Sequence, residues 1–485
     1  MFPSEYARFD ALGLAALLRS GQVSAPELMA CAIELARARA PALNALCHER
    51  YDESLEIAAT AQSRGIFHAV PFLLKDSALP SRRFPSNLGS HLFRNLMFKY
   101  DATLVERFES AGLIPFARTT VPELCISPTT EAVANGGPTR NPWNHERSSG
   151  GSSGGSGAAV AAGIVPMAHG NDGAGSIRIP ASCCGLYGLK PTRGRVPMGP
   201  ARGEGWGGLA AEGVLSRTVR DTAAALDAIG GGEPGAPYAA PSAPESYLEA
   251  LSQPFERPLR IGTWTHSWDD IEIAPDCAAA VAGAARLIRT AGHEVFELPP
   301  PDMGYAGFIE AHILVLAANI VVSVNGLVKG RPIEDWQGDL EPAILDGYRL
   351  GRTLTAERYI GAINTFHSIG RKLERHMAGL DIILTPTLTR PPAPLGEFTT
   401  QTDFRTFRRG VARYTTFLAI ANASGQPAAN VPLHWTDSRL PIGIQLIGHF
   451  GREDQILKLS AQLEATAPWA ERFSFLYPLD NNVTK

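Results

Sequence analysis

Residues 148–180 read SSGGSSGGSGAAVAAGIVPMAHGNDGAGSIRIP, and the fold turns on what this stretch is. It holds two serine-bearing loops, residues 148–157 and 170–180. Between them lie a small-residue apolar helix, residues 158–164, and a strand-like segment, residues 165–168. Glycine at this density lets a backbone approach a ligand closely and turn its N–H groups inward, because no Cβ stands in the way. Serines held in such loops are candidate nucleophiles or proton carriers. A lone lysine, Lys75, ends an apolar run upstream in Val70-Pro71-Phe72-Leu73-Leu74-Lys75.

A Gly/Ser tract is commonly a flexible linker. This one passes directly into an apolar helix, with no new domain marked beyond it. A second reading is the nucleophile elbow, since Gly151-Ser152-Ser153-Gly154-Gly155 approaches GxSxG. That pattern needs a buried strand before it and a histidine base downstream. Residues 141–147 are instead polar, carry Pro142 and show no strand character.

Working outward, Ser24-Ala25-Pro26-Glu27 has the capping-box form and opens a helix that Pro41 ends. Helical stretches follow at residues 52–64, closed by Gly65, and at 102–111, 219–229, 275–291 and 455–465. Apolar runs at 70–74, 113–117, 259–263, 381–385 and 442–447 read as buried strands. Residues 230–244, rich in Gly, Pro and Ala, form a long surface loop. Alternation of this kind implies an α/β fold with a large sheet between helical layers.

The chain has 485 residues, 45% hydrophobic and 19% charged, with a net charge of −4. That balance gives no electrostatic case for a nucleic-acid or membrane partner. Six cysteines form no CxxC pair, which reads as reduced and cytoplasmic. His145-Glu146 and His293-Glu294 lack a second histidine at the zinc offset, so no metal or cofactor is expected. The most apolar stretch, residues 313–324, is too short at twelve residues to span a bilayer and reads as a buried helix.

Several motifs taken in order resemble the amidase signature family: residues 150–157, residues 170–180, ASCCGLYGLKPTRGR at 181–195, and the strand-end Lys75. TTVPE at 119–123, NASGQP at 422–427 and PIGIQ at 441–445 complete the set. The resemblance spans nearly the whole chain. It implies a single amidase domain, residues 1–485, with a signature core at about 70–200 and a variable pocket region at about 230–410. The implied fold is a large twisted mixed β-sheet between layers of α-helices.

The resemblance also implies a Ser–cis-Ser–Lys triad. Ser176 takes the place of the nucleophile, Ser152 that of the serine after a cis peptide, and Lys75 that of the base. Lysine acts as a base only when neutral, which means lowering its pKa from about 10.4 towards 7, a cost of roughly 4–5 kcal/mol. Burial at a strand end supplies that desolvation. Ser152 can pass a proton because a hydroxyl both donates and accepts. Its oxygen is expected within about 3.2 Å of both Lys75 Nζ and Ser176 Oγ.

The N–H groups of Gly173, Ala174, Gly175 and Ser176 are the expected oxyanion hole. Alanine stands at 174 where the family usually has glycine, which costs about 1 kcal/mol if that position needs a positive φ. Asp172, Arg178 and Ser153 are expected to brace the loop. His169 reads as a packed strand-end histidine, and Cys183 and Cys184 as buried core.

Within the family the chain resembles bacterial hydrolases of linear and cyclic amides, of the 6-aminohexanoate cyclic-dimer hydrolase type. A small-molecule amide is the implied partner, with esters and carbamates also suited to the same acyl chemistry. A homodimer is the default assembly. Residues 309–324 and 336–348 read equally well as pocket walls or as plain core packing. The alternatives are a glutamine-amidase subunit of an amidotransferase, and a non-catalytic partner that retains the fold. The first typically carries glutamine after SIR, where this chain has Ile179. The second need not keep Lys75, Ser152 and Ser176 together.

Overall fold

The computed structural model describes residues 1–61, 65–94, 96–264 and 266–476. Strands among the described residues are, in chain order, β1 Leu46–Cys47, β2 Val70–Lys75, β3 Leu113–Thr119, β4 Arg140–Asn141, β5 Asn144–Ser148 and β6 Met167–Asp172. They continue as β7 Tyr187–Lys190, β8 Ala211–Ser216, β9 Arg260–Trp264, β10 Glu294–Leu298, β11 Ile382–Pro386, β12 Ala428–Trp435 and β13 Pro441–Gly448.

Eight of them form one mixed sheet in the order β10-β9-β11-β13-β12-β7-β8-β6. The two pairs made by β9 are parallel and the rest antiparallel. A second sheet, β1-β3-β2, pairs β2 with β3 in parallel.

Alternation along the strands explains why both faces of the large sheet carry helices. Ile382 and Leu384 of β11 enter a large core with the helices Val219–Ile229, Pro275–Thr290 and Glu453–Thr466. Ile383 between them turns to the other face, into a cluster with the helices Tyr305–Val328 and Ala356–His376. The expected sheet between helical layers is present.

Several boundaries differ from expectation for identifiable reasons. The helix Ala25–Leu43 has both hydrogen bonds of its capping box but runs past Pro41. Asn44, in the left-handed conformation, closes it by donating its N–H to Ala40 and Pro41 carbonyls. The helix expected to reach residue 64 ends at Thr60, and residues 62–64 lie outside the described residues. Residues 144–148 do form a strand, paired with β4 in an exposed ribbon.

The apolar stretch at 313–324 belongs to one 24-residue helix, Tyr305–Val328, long and apolar enough by length and composition to cross a membrane. One face of it packs inside the protein, while Val322 and Ser323 on the other are exposed. Ile313, Leu316, Ala317, Ile320 and Val324 are buried against the helices Pro342–Arg352 and Phe404–Tyr414.

Candidate active site

Every residue of β2 is buried, and the strand ends on Lys75, which has no exposed surface. Burial pushes the Lys75 amine below its ordinary value, against the pull of Cys125, Glu212 and Asp172. Its Nζ lies 2.7 Å from Ser152 Oγ. It also lies 2.5 Å from Asn171 Oδ1 and 3.3 Å from the Asn171 carbonyl.

The Gly151–Ser152 peptide is cis, as the motif led us to expect. A side chain on Gly151 would stand 2.7 Å from the Thr129 carbonyl, so the backbone here fits only glycine. The following helix begins at Gly154, inside the glycine–serine tract and four residues earlier than its apolar residues suggest. Ser153 ties the two loops together. Its N–H donates to the Ser176 carbonyl at 3.3 Å and its hydroxyl to the Asn171 carbonyl at 3.3 Å.

β6 also runs further than expected, to Asp172, so the second loop is only residues 173–177 before the helix Arg178–Cys184. Asp172 organises that loop. Its carboxylate accepts from the N–H groups of Gly175 (2.6 Å), Ile177 (3.2 Å) and Arg178 (3.4 Å). It pairs twice with the Arg178 guanidinium, at 2.9 Å each. Both side chains are fully buried, so this is no surface ion pair. Burial alone would raise the Asp172 pKa, but Arg178 and Asn422 hold it below the usual carboxylate range.

Arg178 reaches on to Gln445 Oε1 and Asn422 Oδ1, both at 2.6 Å. The two C-terminal motifs therefore serve the loop at 173–177 directly.

The Gly175 N–H, expected among the oxyanion donors, is thus given to Asp172. Gly173, Ala174 and Ser176 make no backbone N–H hydrogen bond among the described residues, which leaves three donors for a ligand. The left-handed position is Gly175, with φ +117°, while Ala174 is not among the positive-φ residues. Alanine at 174 therefore costs no backbone strain. Ser176 opens onto a cleft, and its hydroxyl makes no hydrogen bond among the described residues. The Lys75–Ser152 leg of the expected relay is in place; the Ser152–Ser176 leg is not closed.

The cleft has a volume of about 1100 Å³ counted to its open mouth. Its apolar walls include Leu79, Leu88, Phe98, Leu124, Met198 and Trp206. Of the candidate walls, residues 309–324 contribute only Ser323, and residues 336–348 contribute none. Trp336, Ala343, Ile344 and Tyr348 fill the core behind instead. An apolar helix reads the same whether it lines a cleft or packs inside, so the sequence alone does not separate the two.

Reading the sequence also missed Asn171, Glu212 and Cys125, all of which line the cleft near Lys75. Asn171 was visible in the loop motif, but only strand register puts Glu212 opposite it. His169 is a buried structural histidine, its Nδ1 accepting from the Lys75 N–H at 3.1 Å. Cys183 and Cys184 are buried, with thiol pKa values raised by burial.

One group of metal-ligand type occurs among the described residues: Cys47, His48 and Asp76, with ligand atoms within 4.8 Å of one another. The buried Arg118 guanidinium stands 3.8 Å from Asp76 there and opposes a cation.

This fold and site define an amidase: the sequence model of the Amidase family matches residues 27–457, and the chain belongs to that family. It is a hydrolase of amide C–N bonds. It is 37% identical over 479 residues to the 6-aminohexanoate-cyclic-dimer hydrolase of Paenarthrobacter ureafaciens, covering 96% of each chain. A solved structure of 6-aminohexanoate cyclic dimer hydrolase complexed with substrate superposes with a TM-score of 0.90 at 35% identity. That match covers 96% of this chain and 98% of the other. A bacterial aryl acylamidase of the amidase signature family superposes with a TM-score of 0.87 at 27% identity, over 96% and 98% of the two chains.

Proposed function

We propose that this chain hydrolyses a small linear or cyclic amide through an acyl-enzyme on Ser176, with Ser152 and Lys75 completing a Ser–cis-Ser–Lys triad. The observation that carries this reading is the environment of the Lys75 amine. A neutral amine has two hydrogens and one lone pair. Asn171 offers two acceptors, its Oδ1 and its carbonyl, and the remaining direction faces the Ser152 hydroxyl at 2.7 Å. Desolvation of a fully buried lysine favours that neutral form.

Ser176 Oγ attacks the carbonyl carbon as its proton passes to Ser152 and the Ser152 proton passes to Lys75. The N–H groups of Gly173, Ala174 and Ser176 receive the oxyanion. Collapse breaks the C–N bond, and the proton returns from Lys75 through Ser152 to the leaving nitrogen. Water then hydrolyses the acyl-Ser176 ester by the same route. The Ser152–Ser176 contact tightens when substrate binds, as catalytic hydrogen bonds commonly do.

The apolar cleft walls suit an aliphatic or aromatic acyl group, in keeping with the substrates named for the two relatives. Esters and carbamates fit the same chemistry. The whole chain acts as one amidase domain.

An irreversible sulfonyl fluoride tests the nucleophile. Intact-mass analysis should find one adduct, mapping to Ser176. An adduct on Ser152 or Ser153 would reverse the assignment.

A further inference from the structure

Glu212 stands on β8 directly opposite Asn171 on β6, so the two side chains leave the sheet on one face. His169, two residues along β6, shares that face. All three converge on Lys75. The Lys75 backbone N–H donates to His169 Nδ1 at 3.1 Å. Nδ1 is therefore bare, and the ring proton sits on Nε2. From there it is donated to Glu212 Oε2 at 2.9 Å. Burial lowers the His169 pKa, which keeps this neutral tautomer at neutral pH.

The other oxygen, Glu212 Oε1, faces Asn171 Nδ2 at 3.5 Å. That contact decides which end of the Asn171 carboxamide points at the lysine, and it is Oδ1. One carboxylate thus governs both the backbone and the amine of Lys75. Residues 209–212 belong to none of the motifs that carry the family resemblance.

We propose that Glu212 is the positioning residue of the proton relay, fixing Lys75 through His169 and Asn171 so that the amine lone pair meets Ser152. This rests on the reading of Lys75 as the base. A carboxylate can accept from both partners, but a carboxamide accepts with only one end. Glu212→Gln therefore sets an N–H₂ against either His169 Nε2–H or Asn171 Nδ2, and one of them must turn away.

The charged and titratable groups around Lys75 are Asp76, the residue after β2, Arg118 on β3 and Cys125 in the Glu123–Cys125 turn. His169 faces it from β6 and Glu212 from β8, while Asp172, on the other face of β6, acts through its charge alone. Among these, Cys125, Glu212 and Asp172 favour the protonated amine. Removing the Glu212 charge lets Lys75 lose its proton at lower pH. The acid limb of kcat/KM then moves to lower pH even as kcat falls.

The test is steady-state kinetics across pH with hexanoyl p-nitroanilide, for the unaltered enzyme, Glu212→Gln, Asn171→Ala and Lys75→Ala. Glu212→Gln should lose about 10- to 100-fold in kcat at little cost in KM, with the acid limb displaced downward. A merely structural role does not move that limb. A raised KM with the limb unmoved makes Glu212 a substrate contact and overturns the proposal, as does an unchanged kcat. If Glu212→Gln does not fold, Asn171→Ala removes the acceptor and leaves the His169–Glu212 pair in place. It should lose kcat to a similar extent, and full activity in it overturns the proposal. Retained activity in Lys75→Ala defeats the base reading and this proposal with it. An inactive Lys75→Ala beside an unaltered Glu212→Gln defeats this proposal alone.

Discussion

Residues 170–178 and residues 197–208 line one cleft and are held in different ways. The first segment hangs from Asp172, whose carboxylate takes three backbone N–H groups and a guanidinium, all buried. The second is glycine-rich and passes through three successive left-handed residues: Trp206 at φ +53°, Gly207 at +63° and Gly208 at +83°. Its Trp206 is half-buried and rests against Gly173, where a Cβ would collide with the indole. The loop that carries Ser176 is thus fixed by hydrogen bonds to buried charge, with little freedom. Where the second segment meets the first, at the Trp206 indole, the tie is apolar contact, which tolerates exchange.

The contrast breaks most visibly at Lys75. Lys75→Arg keeps the charge but cannot give up a proton at working pH. It should fall with Lys75→Ala by about 10²- to 10⁴-fold in kcat. Substantial activity in the arginine variant would show that the position needs only a positive charge.

Next in size is Asp172→Asn. It leaves a buried guanidinium without its carboxylate, a change that costs about 3–5 kcal/mol in comparable pairs. Denaturant unfolding should register a loss of that order, with a fall in kcat as the Gly175 tether loosens. An unaltered midpoint would mean that Asn422 and Gln445 suffice to hold Arg178.

The smallest expected effect lies on the wall. Gly173→Ala should lower kcat/KM about tenfold by driving Trp206 off the loop. Adding Trp206→Ala should recover part of that loss, a coupling that a double-mutant cycle measures. If the double variant is no better than Gly173→Ala, the glycine matters for its own backbone and not for the indole.

The same division governs what could be read from the chain. Lys75 stood out because an apolar run ends on it and the two serine loops because of their glycine, but only the family resemblance singled out Ser152 and Ser176 among the serines. The helix and strand cores were legible from periodicity, with errors where a cap or a glycine tract decides the boundary, as at Asn44 and Gly154. Glu212 was not, because its role exists only once β6 and β8 are in register. Nor was Gly175 readable as a tethered N–H, since nothing in GAGS says that Asp172 turns back upon it. The candidate walls were apolar helices, whereas residues 197–212, with glycines at 199, 203, 205, 207 and 208, carry much of the lining.

The tie between Asp172 and Asn422 spans 250 residues of chain, and that between Arg178 and Gln445 spans 267. Contacts so distant in sequence form late, because loop closure must precede them. A growing chain has Lys75, Ser152 and Ser176 in hand long before it has the residues that brace them. The loop at 173–177 therefore gains its full bracing only once β13 is synthesised and docked, and a shorter chain carries Ser176 on a loop without those ties.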